Sequence, residues 1–330
     1  MSAYQASGSP DFGAGAAITA VGLRKAYGEH RVLDGVDLRI PAGSVFSMLG
    51  PNGAGKTTTV KILSTLTPAD GGQVTVAGHD LASDPDGVRS SIGVTGQFSA
   101  VDMFLNAREN LQLMARLWHL DRRVARERCE RLLEQFDLVE AARKPVATFS
   151  GGMKRRLDLA MTLVGAPPVI FLDEPTTGLD PRVRRAMWEL IRELVAGGVT
   201  IFLTTQYLEE ADQLADQIAV LNGGRLVAQG TPEQLKRQIP GGSIDLQFTS
   251  PQALETAATV LEAAPGARNE ETLTLRIPSD GSAASVQQVL NRLDTSTVHE
   301  LSLKTPDLDD VFLALTGQNP TTDTKKEALV

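Results

Sequence analysis

The stretch Gly50-Pro51-Asn52-Gly53-Ala54-Gly55-Lys56-Thr57-Thr58 limits more tightly than any other what this chain can fold into. It reads G-x-x-x-x-G-K-T. An apolar run, Val45 to Leu49, precedes it and predicts a buried strand. Apolar residues at Val60, Ile62, Leu63 and Leu66 follow it and predict a helix over Thr58 to Leu66. Strand, glycine-rich loop and helix form the context in which this motif binds phosphate. Glycines let the backbone turn tightly with its N–H groups facing inward. The helix start adds orphan donors and a partial positive charge. Lys56 supplies a full charge for the outer phosphates, and the Thr57 hydroxyl suits Mg2+.

Two further stretches call for the same ligand. Val169 to Leu172 predicts a buried strand that delivers Asp173 and Glu174 at its C-terminal end, where ligands bind in parallel α/β sheets. Asp173 would hold the metal, largely through water, and Glu174 would polarise an attacking water. Ser150 is placed to cap a helix whose first residues are Gly151 and Gly152. That makes a second helix start open to an anion.

The rest of the chain predicts strands at Ile18–Lys25, Val32–Ile40, Gln73–Ala77, Ser91–Thr95, Val199–Leu203, Gln217–Leu221 and Arg225–Gln229, with helices at Val101–Leu120, Arg122–Phe136 and Glu209–Ala215. Trp188, Leu190, Ile191 and Leu194 read as core positions of a further helix. Composition shifts at Ile239-Pro240-Gly241-Gly242, a linker. Beyond it, strand (Ser243–Thr249), helix (Pro251–Ala264), strand (Glu271–Ile277), helix (Ala283–Leu293), strand (Ser296–Leu303) and helix (Leu308–Leu315) predict a small α/β sandwich. Residues 1–17 read as a disordered leader without a signal peptide's basic and apolar regions, and 317–330 as a flexible tail.

Composition excludes several classes. A net charge of −8 over 330 residues argues against a general nucleic-acid binder. The single cysteine, Cys129, can form neither an internal disulfide nor a thiolate cluster; it reads as an incidental surface or half-buried thiol in a reducing compartment. No run reaches the roughly 18 apolar residues that span a bilayer. Membrane work would therefore proceed from the cytoplasm, through a partner.

These motifs, in this order, resemble the ATP-binding subunit of an ABC transporter, over roughly Ile18 to Leu235. The matching segments are the Walker A loop Gly50–Thr58, Gln97 in the Q-loop position, the signature-like Phe149-Ser150-Gly151-Gly152-Met153, the Walker B run Val169–Glu174 and the D-loop Gly178-Leu179-Asp180. Thr204 to Asp212 and Asp309 to Gly317 more narrowly resemble the daunorubicin/doxorubicin-resistance type, which pairs with a separate ABC-2-type permease.

The resemblance implies a P-loop NTPase fold of the ABC nucleotide-binding type, a mixed sheet core plus a helical subdomain. It would occupy 18–239, with the helical subdomain about 98–165, a small C-terminal α/β domain at 240–316 and the tail after it. It implies ATP and Mg2+, a homodimer that sandwiches ATP, and a place on the inner face of the cell membrane. Gly50, Pro51, Asn52, Gly53, Ala54, Gly55, Lys56, Thr57 and Thr58 would cradle the phosphates of one protomer, opposite Ser150, Gly151 and Gly152 of the other. Tyr27 would stack on adenine. Gln97 would join Thr57 and Asp173 at the metal and couple to the permease. Asp180 would organise the interface.

Two positions depart from the family pattern. Met153 stands where glutamine is usual, and Gln206 stands where the switch histidine is usual. A glutamine amide can hydrogen-bond the γ-phosphate but cannot titrate like an imidazole, so Gln206 positions while Glu174 does the base-like work. Efflux of a drug or other amphipathic compound is the expected function. The alternatives are a soluble ABC ATPase acting on nucleic acid or ribosomes and a P-loop kinase. Against the first stand the negative charge, the single nucleotide domain and the lack of a long heptad run. Against the second stand Ser150-Gly151-Gly152 and Asp180.

Overall fold

The computed structural model describes residues 15–96, 100–237, 242–264, 266–279, 282–304 and 306–316. The expectations for residues 1–14 of the leader, for Gln97, for most of the 239–242 linker and for the tail lie outside these residues; Ala16 and Ala17, read as the end of a disordered leader, instead begin the first strand, paired in its sheet. Contacts divide the chain into two units, one ending at Pro232 and the other starting at Glu233.

The first unit opens with a long antiparallel pair, β1 (Ala16–Tyr27) and β2 (His30–Pro41). Then come β3 (Val45–Leu49), α1 (Lys56–Leu63), β4 (Gly71–Val76), β5 (His79–Asp80), α2 (Pro85–Ser91) and β6 (Ile92–Thr95). Helices α3 (Ala107–Leu117), α4 (Arg122–Gln135) and α5 (Gly151–Thr162) lead to β7 (Val169–Asp173) and α6 (Pro181–Ala196). Next are β8 (Thr200–Thr205), α7 (Leu208–Leu214), β9 (Gln217–Asn222) and β10 (Arg225–Gly230).

Two sheets result. One has the order β2-β1-β4-β5 and is antiparallel. The other has the order β10-β9-β3-β8-β7-β6, parallel from β9 to β6, with β10 antiparallel at its edge. Its central strands are buried on both faces, as apolar runs of this kind require. Alternate residues serve alternate cores. Phe46, Met48, Val169, Phe171 and Phe202 face the antiparallel sheet and α1. Ile170, Leu172, Ile201 and Leu203 face the helices α3 to α6.

An aromatic ladder fixes the register. Phe46 pairs with Phe202 and Phe202 with Phe171 across β3, β8 and β7, with ring centroids 5.4 and 5.6 Å apart. Each buried ring contributes about 1.5–3 kcal/mol, and a one-residue slip would turn all three out of their core. The register that keeps them in also sets Asp173 beside Thr204 and Leu49 beside Thr205. The ends of β3, β7 and β8 thus share one edge of the sheet.

Several boundaries differ from the sequence reading. α1 begins at Lys56, not Thr58, because Gly55 at φ 109 already turns the chain into the helix. The helix expected over Val101–Leu120 occupies only Ala107–Leu117. Asn106 and Glu109 form a capping box at its start, and His119 at φ 51 lies beyond its end. α2 went unread, although Asp84 as cap and Pro85 at the first position signal it. Cys129 is not a surface thiol: it is 1% exposed, on the same buried side of α4 as Leu132 and Leu133.

The second unit contains α8 (Pro232–Arg237, entered from the first unit), β11 (Ser243–Phe248), α9 (Pro251–Val260), β12 (Arg268–Asn269), β13 (Thr274–Pro278), α10 (Ala283–Asn291), β14 (Val298–Lys304) and α11 (Leu308–Thr316). The short strand β12 was not read from the sequence. Its sheet order is β12-β13-β11-β14, all antiparallel. Ile244, Leu246 and Phe248 pack in one core with Leu254, Ala257 and Val289 of the helices. Asp245, of opposite orientation in β11, takes ion pairs from Arg276 at 2.8 Å and Lys304 at 3.1 Å. The Arg276 guanidinium, with Lys304 behind it, holds the Asp245 carboxyl down at about 2.

Candidate functional site

The glycine loop lies between the end of β3 and the start of α1. Close packing explains why glycines occupy it. A Cβ at Gly50 would sit 2.3 Å from the Leu221 carbonyl oxygen of β9. One at Gly55 would meet Leu33 at 2.8 Å and the Val32 carbonyl oxygen at 2.9 Å, and its φ of 109 is a left-handed conformation that favours glycine. Gly55 is also the cap residue of α1, so no side chain caps that helix and no acid sits in its first turn. The first-turn N–H groups are therefore open to an anion at the positive end of the helix.

Lys56 is 5% exposed. Its Nζ donates to the Gly50 carbonyl at 2.6 Å and the Pro51 carbonyl at 3.2 Å. Burial pushes the ammonium below its ordinary value, opposed by the charges of Glu174 and Asp173. Those two carboxylates thus lie within electrostatic reach of the lysine.

Asp173, at the end of β7, is 5% exposed. Its Oδ1 accepts from the Thr57 hydroxyl at 3.3 Å and the Thr204 hydroxyl at 2.5 Å. One carboxylate oxygen therefore joins the ends of β7 and β8 to the first turn of α1. Thr57 and Asp173 offer only hard oxygens, which suits Mg2+. No cluster of three His, Cys, Asp or Glu among the described residues could hold a metal alone. Mg2+ takes one or two carboxylates and completes its shell with phosphate and water.

Glu174 has φ 50, a left-handed conformation that costs a non-glycine residue about 1–2 kcal/mol. Its N–H donates to both the carbonyl (3.1 Å) and the hydroxyl (3.2 Å) of Thr204. Its carboxylate accepts from the Thr177 hydroxyl at 3.2 Å. Strain held by the surrounding structure is common at reactive positions.

The other sequence-predicted residues fall as follows. Tyr27, 52% exposed, ends β1 at the turn into β2, with Lys25 Nζ 5.4 Å above its ring. The start of β2 is the segment packed on Gly55. Gln206 follows β8, two residues beyond Thr204. Ser150 caps α5, its hydroxyl accepting from Met153 N–H at 3.3 Å. Gly151 has open space at its Cβ position, whereas a Cβ at Gly152 would strike Val183 of α6 at 2.6 Å. Asp180 caps α6 by accepting from the N–H groups of Arg182 and Val183, each at 3.0 Å. Among the described residues, no hydrogen bond joins Ser150–Gly152 to Gly50–Thr58 within the chain. The structure thus brings Lys56, Thr57, Asp173 and Glu174 together, and leaves the Ser150 helix start apart from the glycine loop.

Sequence reasoning missed Thr204, Glu210 and Arg155. Thr204 carried a signal, a polar residue ending an apolar strand. Glu210, on α7, is fully buried, with its Oε1 accepting from the Thr176 hydroxyl at 2.8 Å and Trp188 Nε1 at 3.1 Å. Burial pushes its carboxyl above the ordinary range, against hydrogen bonds from Thr205, Thr176 and Trp188. Nothing in its Glu-Glu-Ala context marked it as interior.

The family model described as ABC transporter matches residues 33–177. The chain is 48% identical over 320 residues to a daunorubicin resistance ATP-binding protein of Streptomyces coeruleorubidus, covering 95% of this chain and 99% of that one. It is 45% identical over 318 residues to the daunorubicin/doxorubicin resistance ATP-binding protein of Streptomyces peucetius, covering 94% and 95%. Among solved structures it is similar to a dimeric, post-hydrolysis ATP-binding cassette bound to ADP and Pi, at 26% identity and a TM-score of 0.59, covering 65% of this chain and 98% of that one. This chain belongs to the ABC transporter family, as an ATP-hydrolysing exporter subunit of the daunorubicin/doxorubicin-resistance type.

Proposed function

We propose that the chain works as a head-to-tail dimer on the cytoplasmic face of the membrane, driving an ABC-2-type permease that expels a drug or other amphipathic compound. The observation that carries this reading is the contact of Asp173 with both Thr57 and Thr204, which unites the phosphate loop and the carboxylate strand in one site. The drug-resistance relatives favour export over a role on nucleic acid. We take the nucleotide-binding domain as 18–239 and the small C-terminal domain as 240–316, whereas contacts divide the chain a few residues earlier, between Pro232 and Glu233.

Each residue has a role in converting ATP and water to ADP and phosphate. The N–H groups of Gly50 to Thr58 cradle the phosphates, and Lys56 neutralises the outer ones. Thr57 and Asp173, joined by Gln97, would hold Mg2+, which when bound offsets charge on the phosphate oxygens. Tyr27 stacks on the adenine. Glu174 accepts a hydrogen bond from water and aims its oxygen at the γ-phosphorus. Gln206 donates its amide to the γ-phosphate and takes no proton. Ser150, Gly151 and Gly152 of the second protomer close on the same phosphate, and Asp180 orders the seam between protomers.

Phosphate release from purified chain, assayed with its permease in membranes, tests this. Lys56→Ala and Glu174→Gln should each abolish release. Wild-type rates in either variant, or transfer of phosphate to an organic acceptor, would refute it.

A further inference from the structure

Arg155 lies on the second turn of α5, the helix that Ser150 caps. Its side chain is only 11% exposed, yet it does not serve a surface ion pair. The guanidinium is turned onto main-chain carbonyls. Nε donates to Pro175 O at 2.8 Å, Nη2 to Glu174 O at 3.3 Å and to Asp173 O at 3.4 Å. Nη1 donates to Gly96 O at 2.9 Å and to the Asp158 carboxylate at 3.4 Å. One side chain thus holds three consecutive carbonyls of the turn that carries Asp173 and Glu174. It also holds the carbonyl immediately before Gln97.

That turn includes the left-handed Glu174. Its N–H is anchored from one side by Thr204, and its carbonyls are anchored from the other by Arg155. A planar fork with five donors can reach several carbonyls at once; the point charge of lysine cannot. We infer that Arg155 is a positioning residue for hydrolysis: it fixes the Asp173–Pro175 turn, and so the aim of the Glu174 carboxylate, to the helix whose N-terminus carries Ser150. The inference rests on the reading of Glu174 as the water-orienting group. It adds a link that lets the position of α5 set the readiness of the carboxylate in the same chain.

The test uses the full-length chain and steady-state ATP hydrolysis. Arg155→Met should lower kcat about 10–100-fold, the scale of a misaimed catalytic group, while KM for ATP and binding of a fluorescent ATP analogue change less than about threefold. Arg155→Lys keeps the charge and guards against a variant that fails to fold; it should fall between wild type and Met. A residue that merely supports the fold would lower nucleotide binding and turnover together. A kcat within twofold of wild type, or a parallel loss of binding, would overturn the inference. If Glu174→Gln abolishes turnover and Arg155→Met leaves kcat within twofold of wild type, only this inference fails. If Glu174→Gln turns over normally, the reading of Glu174 fails and takes the inference with it.

Discussion

Thr204→Val removes one hydroxyl and almost no volume, and that hydroxyl has two tasks. It donates to Asp173 Oδ1 at 2.5 Å and accepts from Glu174 N–H at 3.2 Å. The second loss is softened, because Glu174 N–H keeps the Thr204 carbonyl at 3.1 Å. The first is not. Asp173 is 5% exposed and Thr204 is fully buried, so water does not readily replace the donor. A hydrogen bond to a charged group is worth about 1.5–3 kcal/mol, and the variant should lose that much stability at pH 7. For a unit of this size each kcal/mol moves Tm by about 2–4 °C, so calorimetry should record a fall of about 3–12 °C. The slackened carboxylates should also cut ATP turnover about tenfold, the equivalent of about 1.4 kcal/mol. In a double-mutant cycle with Asp173→Asn, the two changes should couple by more than about 1 kcal/mol. A Tm within about 1 °C of wild type, or simple additivity with Asp173→Asn, would refute the argument that this bond organises the site.

Other outcomes follow from the same geometry. Gly151→Ala should leave Tm unchanged, since its Cβ meets open space, yet impair ATP turnover if the backbone there must approach a phosphate; Gly152→Ala should destabilise by about 1–3 kcal/mol through its 2.6 Å clash with Val183, read by thermal melts. Burial raises the Glu210 carboxyl above its ordinary value of 4.5, so the folded chain favours its protonated form. Its contribution to stability is full below that value and is lost as pH rises through the folded-state value; in Glu210→Gln melts, this loss on raising pH should disappear. Cys129, 1% exposed, should resist a thiol reagent in the native chain and react on unfolding; rapid native labelling would contradict its burial.

Much of this was legible because the phosphate loop and the carboxylate strand are local patterns. A glycine-rich turn between a buried strand and a helix is specified by adjacent residues, and so is an apolar run ending in two acids. Ser150 was readable as a cap for the same reason. What escaped is non-local. Thr204 gains its meaning only when the Phe46–Phe202–Phe171 register sets β8 beside β7. Arg155 stands in a run of three basic residues, Lys154 to Arg156, that reads as a solvated face until the fold turns one of them inward. Glu210 looked like a surface acid because a buried carboxyl has no sequence signature apart from its partners, which lie 34 and 22 positions away. The α3 boundary was misjudged because apolar periodicity continues through Val101 to Leu105, whereas Asn106 and Glu109 decide where the helix begins.

The central claim is that one nucleotide is gripped by the Lys56 loop of one protomer and the Ser150 helix start of another. Light scattering of purified Glu174→Gln chain, with and without Mg2+ and ATP, tests it most directly. The account predicts a monomer without ATP and a stable dimer of about 70 kDa with it, twice the 35.2 kDa chain, with Ser150→Arg in the same background abolishing the dimer. A mass that stays at one chain on adding ATP, or a dimer indifferent to both ATP and Ser150→Arg, would contradict it.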